Sequence, residues 1–273
     1  MNNTYHILIP VDFTKAATSA INYALGMAKE VNPTITLLHI IGNEREQIAA
    51  EQQLEIFASG FDFGTVQIHK RVLIGDVLND LGKIAEGMNA TVILMGTHGE
   101  KGLQKVFGSY ALRVVENSKV PLIIVQEETV YKEIKKIVLT IDLEKESIQI
   151  IKNAAALAKY YGAEIILVGG QHDDPIFKNK VSLNLRVCRE FLTSENIKHD
   201  IQLLERKQFD TNLIAFCEKE NIDMLATSFY QNTFYAFSDK FVQHLIMNKL
   251  HIPMMTIDST ATGVYSQFTF ITT

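Results

Sequence analysis

Hydrophobic and polar positions alternate along the chain in two kinds of block. The run His6-Ile7-Leu8-Ile9-Pro10-Val11 is short and almost continuously apolar, as a parallel strand covered on both faces must be. Asp12 ends it. Beyond Thr14, Ala17, Ala20, Ile21, Ala24, Leu25 and Ala28 recur every three or four residues, which predicts a helix with one buried face. The pattern then predicts a strand over 34–41, a polar-rich helix over 44–57, a strand over 65–73 and a helix over 77–87 carrying Leu78, Leu81, Ile84 and Ala85 inward. A strand over 91–95, a glycine-containing loop over 96–108, a helix from about Ser109 to residue 117 and a fifth strand over 122–126 complete the set. Strands alternating with helices imply a parallel, doubly wound α/β sheet.

The pattern then repeats. Ile137-Val-Leu-Thr-Ile-Asp142 matches the segment from Ile7 to Asp12, and Ala154, Ala155 and Ala158 fall 130 positions after Ala24, Leu25 and Ala28. Later the offset becomes 132, which sets Ser228 opposite Gly96, Lys240 opposite Gly108 and Pro253 opposite Pro121. The fold expected is therefore α/β with two tandem doubly wound parallel five-stranded sheets flanked by helices. Its domains are 1–130 and 131–259, followed by a tail, 260–273. Each copy ends in an apolar strand that would be an exposed edge if left alone, so the two fifth strands are expected to pair in an intrachain pseudo-dimer, with further homo-oligomerisation left open.

Composition narrows the function. Of 273 residues, 47% are hydrophobic and 21% charged, an ordinary globular balance. A formal charge of −5 supplies no basic field for nucleic acid, which is not expected as a partner. No apolar run approaches the roughly 20 residues of a membrane span, so no membrane partner is expected. Cys188 and Cys217 read as reduced thiols of a cytoplasmic protein.

The candidate chemistry lies after the fourth strand. There the chain reads Gly96-Thr-His-Gly99-Glu-Lys-Gly102, then five residues, then Gly108-Ser109. Glycines let backbone amides approach a phosphate, and Gly108-Ser109 falls where a helix would present free N–H groups. If the first and fourth strands are neighbours, Asp12 and this loop meet across one crevice. A glycine loop that merely makes turns is the competing reading. No GxxxxGK[ST] segment is present, and the loop follows the fourth strand, which argues against a Walker-type NTPase or a dinucleotide Rossmann domain.

On these residues the chain resembles tandem members of the universal stress protein family, adenine-nucleotide alpha hydrolase-like in fold. In ATP-binding members of that family the motif is Gly, two residues, Gly, nine residues, Gly and then Ser or Thr, with an aspartate at the end of the first strand facing the adenine. The resemblance assigns Asp12 to the base side and Gly96, Gly99, Gly108 and Ser109 to the phosphates of ATP, with magnesium. Here eight residues, not nine, separate Gly99 from Gly108. In the second copy Ser228, Gln231, Lys240 and Phe241 replace the four loop residues, and Phe241 is expected to stand in the anion's place.

The resemblance thus implies a stress-response regulator that binds adenine nucleotide in its first domain, signals to an unknown protein partner and performs no catalysis. A nucleotide-free interaction scaffold is the alternative, and slow ATP hydrolysis is left open. His98, Lys101 and Lys105 read as solvated loop residues, and His172-Asp173-Asp174 as a polar loop rather than a metal site. Cys217 reads as a core thiol, and the aromatic run from Phe229 to Phe237 as packing.

Overall fold

The computed structural model describes residues 5–97, 107–230 and 239–259. In the first half the elements run β1 (His6–Pro10), α1 (Lys15–Val31), β2 (Thr34–Ile41), α2 (Gln47–Ala58), β3 (Gln67–Ile74), α3 (Val77–Gly87), β4 (Val92–Thr97), α4 (Phe107–Glu116) and β5 (Leu122–Gln126). The second half runs β6 (Lys136–Ile141), α5 (Ile151–Tyr161), β7 (Glu164–Gly170), α6 (Pro175–Ser194), β8 (His199–Leu204), α7 (Phe209–Glu220), β9 (Met224–Phe229), α8 (Asp239–Ile246) and β10 (Met254–Asp258).

Alternation along each buried strand divides the core into two layers. Ile7 and Ile9 of β1 join one cluster with Ala20, Ile21 and Ala24 of α1, while Leu8 joins the other with Leu81 and Ala85 of α3. Small residues on α1 let the helix lie close to the sheet. Thr14 starts that helix by accepting a hydrogen bond from Ala17 N, and Asn32, at φ 41°, ends it with the left-handed turn common at helix carboxyl ends.

The strand order is β3-β2-β1-β4-β5-β10-β9-β6-β7-β8. Read from the outer edge inward, the last five strands, β8-β7-β6-β9-β10, repeat the order of the first five. Pairing is parallel within each half. Between the halves it is antiparallel: Met254 lies opposite Ile124, Met255 opposite Ile123 and Thr256 opposite Leu122. The two five-stranded sheets read from the sequence are thus one continuous ten-stranded sheet. Each half supplies an apolar strand whose outer edge has no partner of its own, and pairing satisfies both rows of backbone groups.

Helices seal the junction from both faces, α1 against α5 on one side and α4 against α8 on the other. Across it, Gln126 Nε2 donates to Asn248 O at 2.8 Å and Thr129 Oγ1 to His251 O at 3.0 Å. The connection after β5 folds back over α1, where the Tyr131 ring takes the space a side chain at residue 26 would need. A Cβ on Gly26 would stand 2.2 Å from Tyr131 Cγ. Among the described residues no helix is long and apolar enough to cross a membrane.

Candidate functional site

β1 and β4 are neighbours in the sheet, with Ile7 opposite Val92 and Leu8 opposite Ile93. The chain leaves β1 toward α1 and leaves β4 toward α4, on the other face, so a crevice opens where the two connections part. Asp12 stands at its mouth, exposed. Its Oδ1 accepts from Thr14 N at 3.1 Å and from Thr14 Oγ1 at 2.6 Å, which fixes the carboxylate at the entrance to α1. Phe13, between them, holds φ 63°, a left-handed conformation uncommon for a bulky residue and concentrated at functional turns.

His39, at the carboxyl end of β2, forms another wall. Its Nδ1 lies 2.7 Å from Val11 O; a carbonyl only accepts, so Nδ1 carries a hydrogen and donates it there. The Phe13 ring packs on it with centroids 4.5 Å apart. With Asp12, Ala17, Leu38, Met95 and Gly96, His39 lines a cavity of about 100 Å³. That is below the roughly 300–1,000 Å³ of a whole-ligand pocket. It lies at the strand ends, on the Asp12 side.

Gly96 has a second employment that the sequence did not disclose. A Cβ there would stand 1.9 Å from Ala16 O and 2.3 Å from Ala16 C, so its hydrogen is what allows the first turn of α1 to rest on β4. The helix expected from about Ser109 begins at Phe107, which puts the backbone of Gly108 and Ser109 in its first turn, among the N–H groups that lack an intrahelical acceptor. Gly99, with His98, Lys101 and Lys105, lies outside the described residues.

The equivalent crevice of the second half is closed. Asp142 is buried and its Oδ2 accepts from the Tyr230 hydroxyl, while Oδ1 accepts from Glu144 N at 2.8 Å. Burial pushes the Asp142 carboxyl up to about 6, against the opposing pull of the Tyr230 and Glu144 hydrogen bonds. The space left beside it is about 20 Å³.

Ser228, at the place of Gly96, donates to Ser147 O and accepts from Ile150 N, both at 3.2 Å. Its side chain fits because the chain after β6 makes a 3₁₀ turn over Lys145–Ile148 before α5 begins, where α1 starts directly. Phe241 does not stand in the anion's place. It belongs to the buried face of α8 and packs on Phe209, centroids 6.0 Å apart, so the residue that closes this crevice is Tyr230.

Other sequence candidates have structural duties. Asp174 caps α6, accepting from Ile176 N at 2.8 Å and Phe177 N at 3.2 Å. Cys188 and Cys217 are both buried thiols, and burial pushes Cys217 up to about 12. Phe13 and His39 had no site role read from the sequence, and Tyr230 was read only as packing within its aromatic run. His39 left a trace, a polar residue interrupting the apolar strand Thr34–Ile41; the partnership of Tyr230 with Asp142, 88 positions apart, left none.

This architecture defines a doubly wound α/β protein with its crevice at a topological switch point. Residues 4–126 match the model of the Universal stress protein family. A universal stress protein of Methanocaldococcus jannaschii is 25% identical over 138 residues, covering 44% of this chain and 81% of its own. Universal stress protein G of Shigella flexneri is 24% identical over 139 residues, covering 44% and 97%. Among solved structures, a universal stress protein from Archaeoglobus fulgidus superposes with a TM-score of 0.71 at 18% identity, over 94% of this chain and 99% of that one. A protein of unknown function from Pseudomonas aeruginosa PAO1 gives 0.60 at 11% identity, over 94% and 93%. At these identities the structural matches establish the fold across both halves; the family match covers the first.

Proposed function

We propose that the chain is a cytoplasmic stress-response regulator made of two tandem domains of this type, and that it binds one ATP-like nucleotide, with magnesium, in the first. Asp12 faces the base, and the backbone of Gly96, Gly99, Gly108 and Ser109 surrounds the phosphates. The observation that carries this reading is the contrast between the two crevices. Asp12 is exposed beside an open cavity, whereas Asp142, its counterpart, is buried under Tyr230. His39 and Phe13 add a ring wall on the base side. Binding acts on a protein partner by changing the surface around the loop after β4, without turnover.

A nucleotide-free scaffold is favoured by one specific observation, the packing of Gly96 against Ala16, which explains that glycine without a ligand. Titration calorimetry with ATP, with and without magnesium, separates the two. Under the binding reading, nucleotide at about 100 times its dissociation constant adds roughly 2.7 kcal/mol of stability, seen as a higher melting temperature. No heat and no shift at millimolar ATP leaves the scaffold. A phosphate-release assay on the same samples is expected to show no turnover above buffer.

A further inference from the structure

The second half carries a groove next to its closed crevice. Arg206 and Gln208 precede α7, Asp210 lies on it, and Lys240 and His244 project from α8; together they bound a space of about 560 Å³. Arg206 and Phe209 line both this groove and the small cavity beside Asp142, so the groove adjoins the closed crevice from outside. In the closed crevice Asp142 accepts from the Tyr230 hydroxyl. The adjoining groove carries two exposed cations, Arg206 and Lys240.

Arg206 and Lys240 are exposed, and no carboxylate among the described residues pairs with either. Of the carboxylates on these elements, Asp210 is committed to His244 Nδ1 at 2.6 Å, and Asp239 opens α8 on its exposed side. At the inner end His172 is held toward its neutral form by burial and by the nearby Arg206 charge, against the opposing charges of Asp173 and Asp174.

We propose that this groove binds a small phosphate-bearing ligand that has no nucleobase, its oxygens held by the side chains of Arg206 and Lys240. The first half offers backbone amides to an anion; this half offers side-chain cations instead. Arg206 presents a planar fork suited to two phosphate oxygens, and Lys240 a compact charge beside it. The ligand lacks a base because the compartment that would seat one is filled by Tyr230.

Inorganic pyrophosphate is the probe. In the full-length chain, a chemical-shift titration follows the backbone amides of 206–210 and 239–244, which report this groove separately from the first-half crevice. Saturable shifts at these amides are expected. In the double variant Arg206→Gln/Lys240→Gln, whose two sites are exposed and outside the core, the affinity read there falls by about tenfold or more. Lys207→Gln, an exposed lysine just outside the groove, leaves it unchanged. Unshifted amides, undiminished affinity in the double variant, or an equal loss in Lys207→Gln would each overturn the proposal.

Discussion

Replacing Gly96 with alanine puts a methyl carbon where 1.9 Å separates it from Ala16 O, a backbone atom that cannot rotate away. Either β4 or the start of α1 must move, and overpacking of this kind costs about 1–3 kcal/mol. Gly96→Ala is therefore expected to lower the urea midpoint of the protein even in the absence of ligand; an unchanged midpoint would show that the glycine serves the crevice alone. Asp142 makes the opposite kind of test, one of pH. Burial raises its folded pKa to about 6, above the 3.8 of a free side chain, so the stabilisation tied to its neutral form is full below about pH 4 and is lost as pH rises through about 6. The difference corresponds to roughly 3 kcal/mol. The Tyr230 hydroxyl relieves part of that cost by bonding the carboxylate. Tyr230→Phe is expected to lose about 1–3 kcal/mol at pH 8 and less at pH 5, measured by urea denaturation at both. Equal losses would mean that the hydroxyl does not support the charged form.

The helix α1 links stability and site at the scale of the element. Thr14 both caps the helix through Ala17 N and bonds Asp12 through its own N–H and hydroxyl. Thr14→Ala removes the cap and one of the two bonds on Asp12. The expected cost is about 1 kcal/mol of stability, together with weaker ATP binding under the proposed function. Thr14→Ser restores both, and a serine variant as weak as the alanine one would assign the effect to the methyl group. Elements of this kind were legible in the chain because their signals are local: the spacing of Ala17, Ala20, Ile21 and Ala24, and the apolar run of β1. The ends of elements were less legible. β3 begins at Gln67 and α4 at Phe107, two residues away from the expected starts, since periodicity marks the buried middle of an element better than its fraying ends.

At the scale of the whole molecule, the antiparallel pairing of β5 with β10 makes each half the cover of the other. A fragment of residues 1–130 exposes the outer edge of β5 and the faces of α1 and α4 that meet α5 and α8. It is expected to self-associate, as size-exclusion chromatography with light scattering would show, because an unpaired apolar edge recruits another strand. A folded, strictly monomeric fragment would show that the junction is dispensable. Gly26 offers a gentler test of the same junction, since Tyr131 occupies the space beside it. Gly26→Val must displace the ring and is expected to lower stability by about 1–3 kcal/mol.

The alternation of strands and helices, the repeat that places Asp142 opposite Asp12, and the two apolar fifth strands in need of a partner were all legible in the amino-acid sequence. These follow from local periodicity and from internal similarity, which require no knowledge of distant contacts. What the repeated positions do depends on packing between distant segments. Asp12 and Asp142 occupy the same place in two copies of one strand, yet one is exposed beside a cavity and the other is buried against a tyrosine 88 positions later. Gly96 reads in the sequence as a residue for phosphate and in the fold as the contact point of β4 with Ala16. The side chains that separate an open crevice from a closed one approach from different elements, and burial, which sets the charge of Asp142, is a property of all of them together.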